Sequence, residues 1–437
     1  MKYFLITIFC FSFLLTACSK QESPAGNGMD GIAESYVKLV LKIGLYDADY
    51  VDAYYGPKEW KPSEKEKAAQ FPYSALSGEC DGLLTRLKNV NQAGFDKTDE
   101  LRFAFLKKQL LAVKTRIDML GGKKLSFNAE SKGLYDAVAP QHSSEYFDDF
   151  LLALDRELPG KGSISERFEQ YRNHFIIPQE KLPAVFDAAI KEARRRTLNY
   201  IDLPPNENFK VEYVTGKSWG AYNWYKGNNY SVIQVNTDLP VYVDRPVELA
   251  CHEGYPGHHV YNVLLESHLV RDKKWAEFTV YPLFSPQSLI AEGTANYGIE
   301  LAFPREERIA FEKKVIFPLA GLDPARAEKY YRIIFLTRKL DYAENEAARG
   351  YLDGNMSREE AIAWLMKYSL STRERAEKSL SFFEQYRSYI INYNLGQDII
   401  QNYMDNHVDA EGNPSKSWQL FYNILSTPQT PSGLQGF

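Results

Sequence analysis

Cysteine and histidine are both scarce in this chain, and each shortage excludes something. Four cysteines stand in 437 residues, and Cys10 falls in an apolar start that reads as a removable leader. Of the remaining Cys18, Cys80 and Cys251, the first reads as acylated, so at most one disulfide is left and cysteine does not organise the fold. Cys251 reads as a small buried side chain rather than a metal ligand. An excess of positive charge is also missing. The 52 lysines and arginines face 57 acidic residues, a formal net charge of -5, which argues against a nucleic-acid partner. No internal repeat or low-complexity tract is present, and no apolar run is long enough to span a bilayer.

Core-forming side chains, by contrast, are plentiful. The chain is 44% hydrophobic and 14% aromatic, enough for one large domain or two medium ones. The start, MKYFLITIFCFSFLLTACSKQ, carries one lysine and then about a dozen apolar residues, the length of a signal h-region. It ends at Leu15-Thr16-Ala17-Cys18, which resembles a bacterial lipobox. That resemblance implies a signal peptide over residues 1–17, cleavage before Cys18 and diacylglycerol on its sulfur. Residues 18–30, small and polar, read as a flexible tether. Ser19, by its similarity to enterobacterial sorting signals, favours the outer membrane. The expected location is the cell envelope, on the periplasmic face of the outer membrane or the cell surface, with the membrane as partner through the lipid.

Periodicity makes most of the chain helical. Phe103, Leu106, Leu110, Val113, Ile117 and Leu120 mark one face of a long helix that Gly121-Gly122 ends. Ser163 with Glu166, and Ser357 with Glu360, have the spacing of capping boxes. A further helix runs from about Pro183 to Tyr200 and stops before Pro204-Pro205. The charged run REERIAFEKK (305–314) reads as a solvated helix face. FKVEYV (209–214) and YSVIQVNT (230–237) alternate like strands, and the aromatic stretch SWGAYNWYKGNN between them reads as core packing more than pocket lining. The expected fold is mainly α with a small β-sheet. An N-terminal helical region over 31–205 would precede a catalytic region over 206–437.

Three of the seven histidines lie in one short stretch, CHEGYPGHHVYN (251–262). In the H-E-x-x-H pattern two histidines four residues apart share a helix face and a zinc ion, while the glutamate activates water. Here the spacing is longer. A regular helix would carry His258 about 240° round the axis from His252, and would place His259 about 10.5 Å further along it. Pro256, however, clashes with a helical carbonyl four residues back, that of His252 itself, and Gly257 allows unusual backbone angles. A bulge there, absorbing two extra residues, would return His258 to the face of His252. On this reading His252 and His258 bind zinc, Glu253 is the general base and His259 points elsewhere. His142, His174, His268 and His407 read as surface or satisfied structural histidines. A catalytic zinc usually takes a third protein ligand. Glu292, within the apolar helix SPQSLIAEGTANYGIEL (285–301), is the candidate, with Asn296 on the same face as a partner for a ligand histidine and Tyr297 expected near the metal.

HEGYPGHHV followed by AEGTANYG resembles the bacterial family called domain of unknown function 885, itself similar to the gluzincin metallopeptidases. The likeness extends from YVDAYYGP, ending at Pro57, to YNLG near residue 396. It implies a zincin-like architecture in a helical framework, with His252, His258 and Glu292 as zinc ligands and Glu253 as base. The chain departs from that family at YRSYIINYNLG (386–396). Arg387, Tyr389 and Tyr393 are the candidates there for the donor a tetrahedral intermediate needs, with Tyr393 the choice carried forward.

The function expected is therefore a zinc-dependent peptidase acting on a peptide or protein substrate. Two other readings stand beside it: a zinc amidase on a non-protein substrate, and a non-catalytic lipoprotein that binds peptides or serves as a scaffold.

Overall fold

The computed structural model describes residues 28–217, 219–408 and 413–436. The leader, Cys18 and nearly all of the tether lie outside the described residues. The expected tether is too long at its end, because a helix already begins at Met29 and runs to Gly44. Asp30 is drawn into that helix's first turn, where a negative charge suits the exposed N–H groups, and it accepts from Arg102 at 2.7 Å.

The chain is mainly helical with two small sheets, as its periodicity predicts. The long helix Lys97–Leu120 starts on Asp96, whose carboxylate accepts from the Asp99 N–H, and buries Leu106, Leu110, Val113 and Ile117. Both capping boxes form, at Ser163–Glu166 and Ser357–Glu360. The helix Leu182–Leu198 stops short of Pro204. Strands β1 (Val51–Tyr54), β2 (Asn208–Val214), β3 (Ala221–Tyr225), β4 (Tyr230–Asn236) and β5 (Val280–Pro282) make up the sheets. One sheet has the order β2-β4-β3, with β2 parallel and β3 antiparallel to β4. The other pairs β1 with β5 antiparallel.

That second sheet joins the beginning of the chain to its later half. So does a buried ion pair between Arg102 and Glu277 at 2.6 Å. One hydrophobic core runs from Ile32 to Leu434, so the change of sequence texture near residue 205 does not divide the core.

The run at 305–314 is solvated at Arg305, Glu306, Glu307, Lys313 and Lys314, but not throughout. Arg308 and Glu312 are buried and pair with each other at 2.8 Å. Arg308 also donates to the Asp244 carbonyl, and the Tyr331 hydroxyl donates to Glu312. Opposite charges four residues apart on a helix satisfy one another, which lets that face turn inward.

Candidate metal centre

The helix Arg245–Leu249 has Pro246 in its first turn and continues into a wider π-helical turn over Ala250–Gly254. The helix then ends, the Tyr255–Pro256 bond is cis, and His258 opens the next helix, His258–Leu264. Gly257 is required by proximity rather than by a left-handed backbone. A Cβ there would stand 1.9 Å from the His252 carbonyl oxygen and 2.4 Å from that of Cys251. The widened turn and the close return together take up the extra residues between the histidines. His252 Nε2 and His258 Nε2 end 3.1 Å apart.

The helix Pro286–Ala302 supplies Glu292, whose Oε2 lies 3.2 Å from His252 Nε2 and 3.6 Å from His258 Nε2. These residues form a group able to hold a metal ion. The donor triangle fits zinc. A point equidistant from its three corners lies about 1.9 Å from each, close to the ~2.0–2.1 Å bonds zinc makes to nitrogen and oxygen. The hydrogen-bond pattern fits as well. Asn296 Nδ2 donates to the Tyr393 carbonyl at 2.8 Å, which turns its Oδ1 toward His252 Nδ1, also at 2.8 Å. Asn296 thus holds the His252 ring at Nδ1 and leaves Nε2 directed into the centre. Glu292 Oε2 is buried without a hydrogen-bond donor, while Oε1 accepts from the Tyr389 hydroxyl at 2.8 Å.

Tyr389 and Tyr393 reach this point through a close helix crossing. A Cβ on Gly293 would lie 2.4 Å from the carbonyl oxygen of Gly396, on the helix Ile391–His407. With no side chain at either glycine, that helix lies directly against the one bearing Glu292.

The titratable groups at the centre act strongly on one another. Burial disfavours a charged His252 ring, but its contact with Glu292 and the charges of Glu253 and Glu292 outweigh this and lift it to about 9. Burial holds the Glu253 carboxyl above its ordinary range, against the pull of His252 and His258. Burial also lowers the tendency of Glu292 to ionise, yet His258 and His252 reverse this and keep it well below the usual carboxylate range.

The centre opens into a cleft of about 720 Å³. Glu253 lines it, and its backbone carbonyl is held by Asn223 Nδ2 of β3 at 2.6 Å. The aromatic stretch expected only to pack is part of the wall: Trp219, Tyr222 and Tyr225 all face the cleft. Asp52 of β1, which the sequence did not single out, accepts from the Tyr222 hydroxyl, and burial pushes its carboxyl up to about 6 against that hydrogen bond. Its only sequence signal is its place in YVDAYYGP.

Two expected residues stand away from the centre. Tyr297 packs against Phe421, ring centres 5.7 Å apart. Five residues past Glu292, it faces about 140° round the helix from the ligand. Arg387 turns to the buried Glu130 carboxylate at 2.6 Å. Tyr393 lines the cleft, and its hydroxyl makes no hydrogen bond among the described residues; the same holds for Tyr281. His259 does point elsewhere, to Ser231 Oγ at 2.9 Å and Glu207 Oε2 at 3.0 Å. Cys251 is buried.

The fold is similar to that of a solved protein from Colwellia psychrerythraea, provisionally described as a lipoprotein. The two match with a TM-score of 0.54 at 14% identity, over 86% of this chain and 70% of the other. A second solved protein, from Shewanella oneidensis, is described in the same provisional terms as a lipoprotein of unknown function. It matches with a TM-score of 0.46 at 13% identity, over 84% and 72% of the two chains. Likeness at these identities concerns the fold. No family model and no curated protein sequence matches the chain.

Proposed function

We infer that this protein is a zinc-dependent peptidase of the cell envelope, related to the domain of unknown function 885 and gluzincin families and anchored by lipid on Cys18. The observation that carries the reading is the convergence of His252, His258 and Glu292 on one point beside the buried carboxylate of Glu253, inside a cleft. His252, His258 and Glu292 would hold the ion. Bound there, zinc supplies a Lewis acid that polarises a carbonyl and acidifies water.

The chain's own groups do the rest. Glu253, with its carboxyl raised by burial, is suited to take a proton from water and pass it to the departing amine. Tyr393 and Tyr281, which line the cleft with hydroxyls free of other partners among the described residues, would donate to a developing oxyanion. β3 is the outer strand of its sheet and lines the cleft, so an extended peptide has a backbone edge to pair with. Asn223 ties that strand to the backbone of Glu253.

A second reading rests on the Colwellia neighbour, whose lipoprotein description suits the lipobox here: a lipoprotein that binds peptides or serves as a scaffold without catalysis. A zinc amidase acting on a non-protein substrate uses the same centre. Glu253→Gln separates catalysis from metal binding. Zinc should stay bound while hydrolysis of a peptide mixture falls about 10²–10⁴-fold. Full activity in that variant would falsify the assigned base.

A further inference from the structure

The cleft extends well beyond the metal donors, and charges of both signs line it. Asp52 and Glu253 stand in it with the donor Glu292, and its wall also carries Arg172, Arg375 and Lys378, besides the paired Arg245 and Glu248 and the groups Arg338, Asp341 and Glu344. Arg375 and Lys378 stand one turn apart on the helix Arg373–Tyr386 and so share a face. Arg373, on the same helix, is paired with Glu359 and Glu377. Arg375 and Lys378 make no ion pair among the described residues.

The acids nearby are already engaged. Asp238 feels the charge of Lys378, but its carboxylate accepts from the backbone N–H groups of Gly216 and Lys217. Asp244 accepts from Tyr330 at 2.5 Å and pairs with Arg172 at 3.4 Å. The guanidinium groups of Arg172 and Arg375 lie 4.0 and 5.8 Å from the ring centre of Tyr242, and Arg172 Nε is buried without a partner. Three cations, one with an unmatched buried donor, thus gather where the two neighbouring carboxylates are already committed. The cluster is short of negative charge.

Two independent paths set the cluster apart from the centre. From Asp244 to His252 the chain climbs about two helical turns, the second of them π-helical. Along the other wall, Lys378 lies eight residues before Tyr386 on one helix, and the Tyr386 ring centre is 6.2 Å from that of Tyr389, which bonds Glu292.

We propose that the Arg172–Arg375–Lys378 cluster of the cleft binds a carboxylate of the substrate, so that the preferred peptides carry a negative charge several residues from the bond presented to Glu253. The distance to a scissile bond rests on the peptidase reading; the carboxylate subsite is a claim about binding alone. A peptide's C-terminus and an acidic side chain offer the same chemistry, and the experiment separates them.

Three fluorescein-labelled heptapeptides of otherwise neutral sequence serve as probes: one with a free C-terminus, its C-terminal amide, and that amide with one internal glutamate. Binding to the full chain carrying Glu253→Gln is read by fluorescence anisotropy. A carboxylate-bearing probe should bind about tenfold or more tightly than the neutral amide. A gain confined to the free C-terminus identifies the terminus as the source; a gain confined to the glutamate probe identifies the side chain. Adding Arg375→Gln with Lys378→Gln should erase the difference. The exchange Arg375→Lys with Lys378→Arg, and the remote Lys65→Gln, should keep it.

Equal binding of all three probes, no binding of any, or a preference that survives the double glutamine substitution overturns the proposal. A preference that behaves as expected in a native protein hydrolysing none of the probes contradicts the peptidase reading and leaves the subsite standing. Hydrolysis without any preference does the reverse.

Discussion

His258 and His259 are neighbours in sequence with opposite surroundings. His259 is wholly buried, and each of its ring nitrogens has a protein partner, Ser231 on one side and Glu207 on the other. Glu207 is further held by Arg194 and Tyr255. His258 instead faces His252 Nε2 and a carboxylate oxygen that no hydrogen bond satisfies. The same pair of residue types, histidine and glutamate, is closed in one place and open in the other. The difference teaches that a histidine cluster is read by what its lone pairs face. A structural pair completes its hydrogen bonds within the protein, while a metal centre leaves acceptors pointing at each other.

The comparison breaks most severely on the open side. Glu292→Ala removes a ligand and should lower hydrolysis about a thousandfold or more, with zinc lost on dialysis. Asn296→Ala leaves the three donors in place but releases the His252 ring. It should weaken zinc about 10–100-fold, measured by competition with a chromophoric chelator.

Acid sharpens the contrast without a mutation. Burial alone would raise the Glu207 carboxyl, but His259, Tyr255 and Arg194 hold it at about 2 in the folded chain, against 4.5 when unperturbed. Its contribution is therefore full above about pH 4.5 and is lost as the pH falls toward 2. Ligand imidazoles must be neutral to hold zinc, so protons compete for them at milder acidity. On lowering the pH from 7, zinc should leave while circular dichroism is still native, and the fold should weaken only below about pH 4.5. Simultaneous loss of both would remove the distinction.

Much of the frame was legible because it rests on local physics. The face of Lys97–Leu120, the capping boxes and strands β2 and β4 follow from spacing and side-chain chemistry near in sequence. At the centre, the Pro256-Gly257 interruption signalled that two widely spaced histidines meet again, and Asn296 followed from helix geometry. What stayed hidden depends on partners far along the chain. Nothing within REERIAFEKK shows that Arg308 will meet the carbonyl of Asp244. Nothing in AYNWY shows which of its faces meets a cleft. Tyr389 and Tyr297 look equally plausible in sequence, and only the crossing at Gly293 and Gly396 brings the first to Glu292 and leaves the second with Phe421.

Zinc content in the dialysed protein tests the account most directly, counted in the native chain and in two variants one residue apart. The native protein should hold one equivalent, and His258→Ala should hold none. His259→Ala should keep its zinc although the fold loses about 2–4 kcal/mol, because that substitution empties a buried site and removes one of the partners of Glu207 and of Ser231 instead of opening the metal centre. A metal-free native protein whose melting temperature does not respond to added zinc or to a chelator would contradict the account.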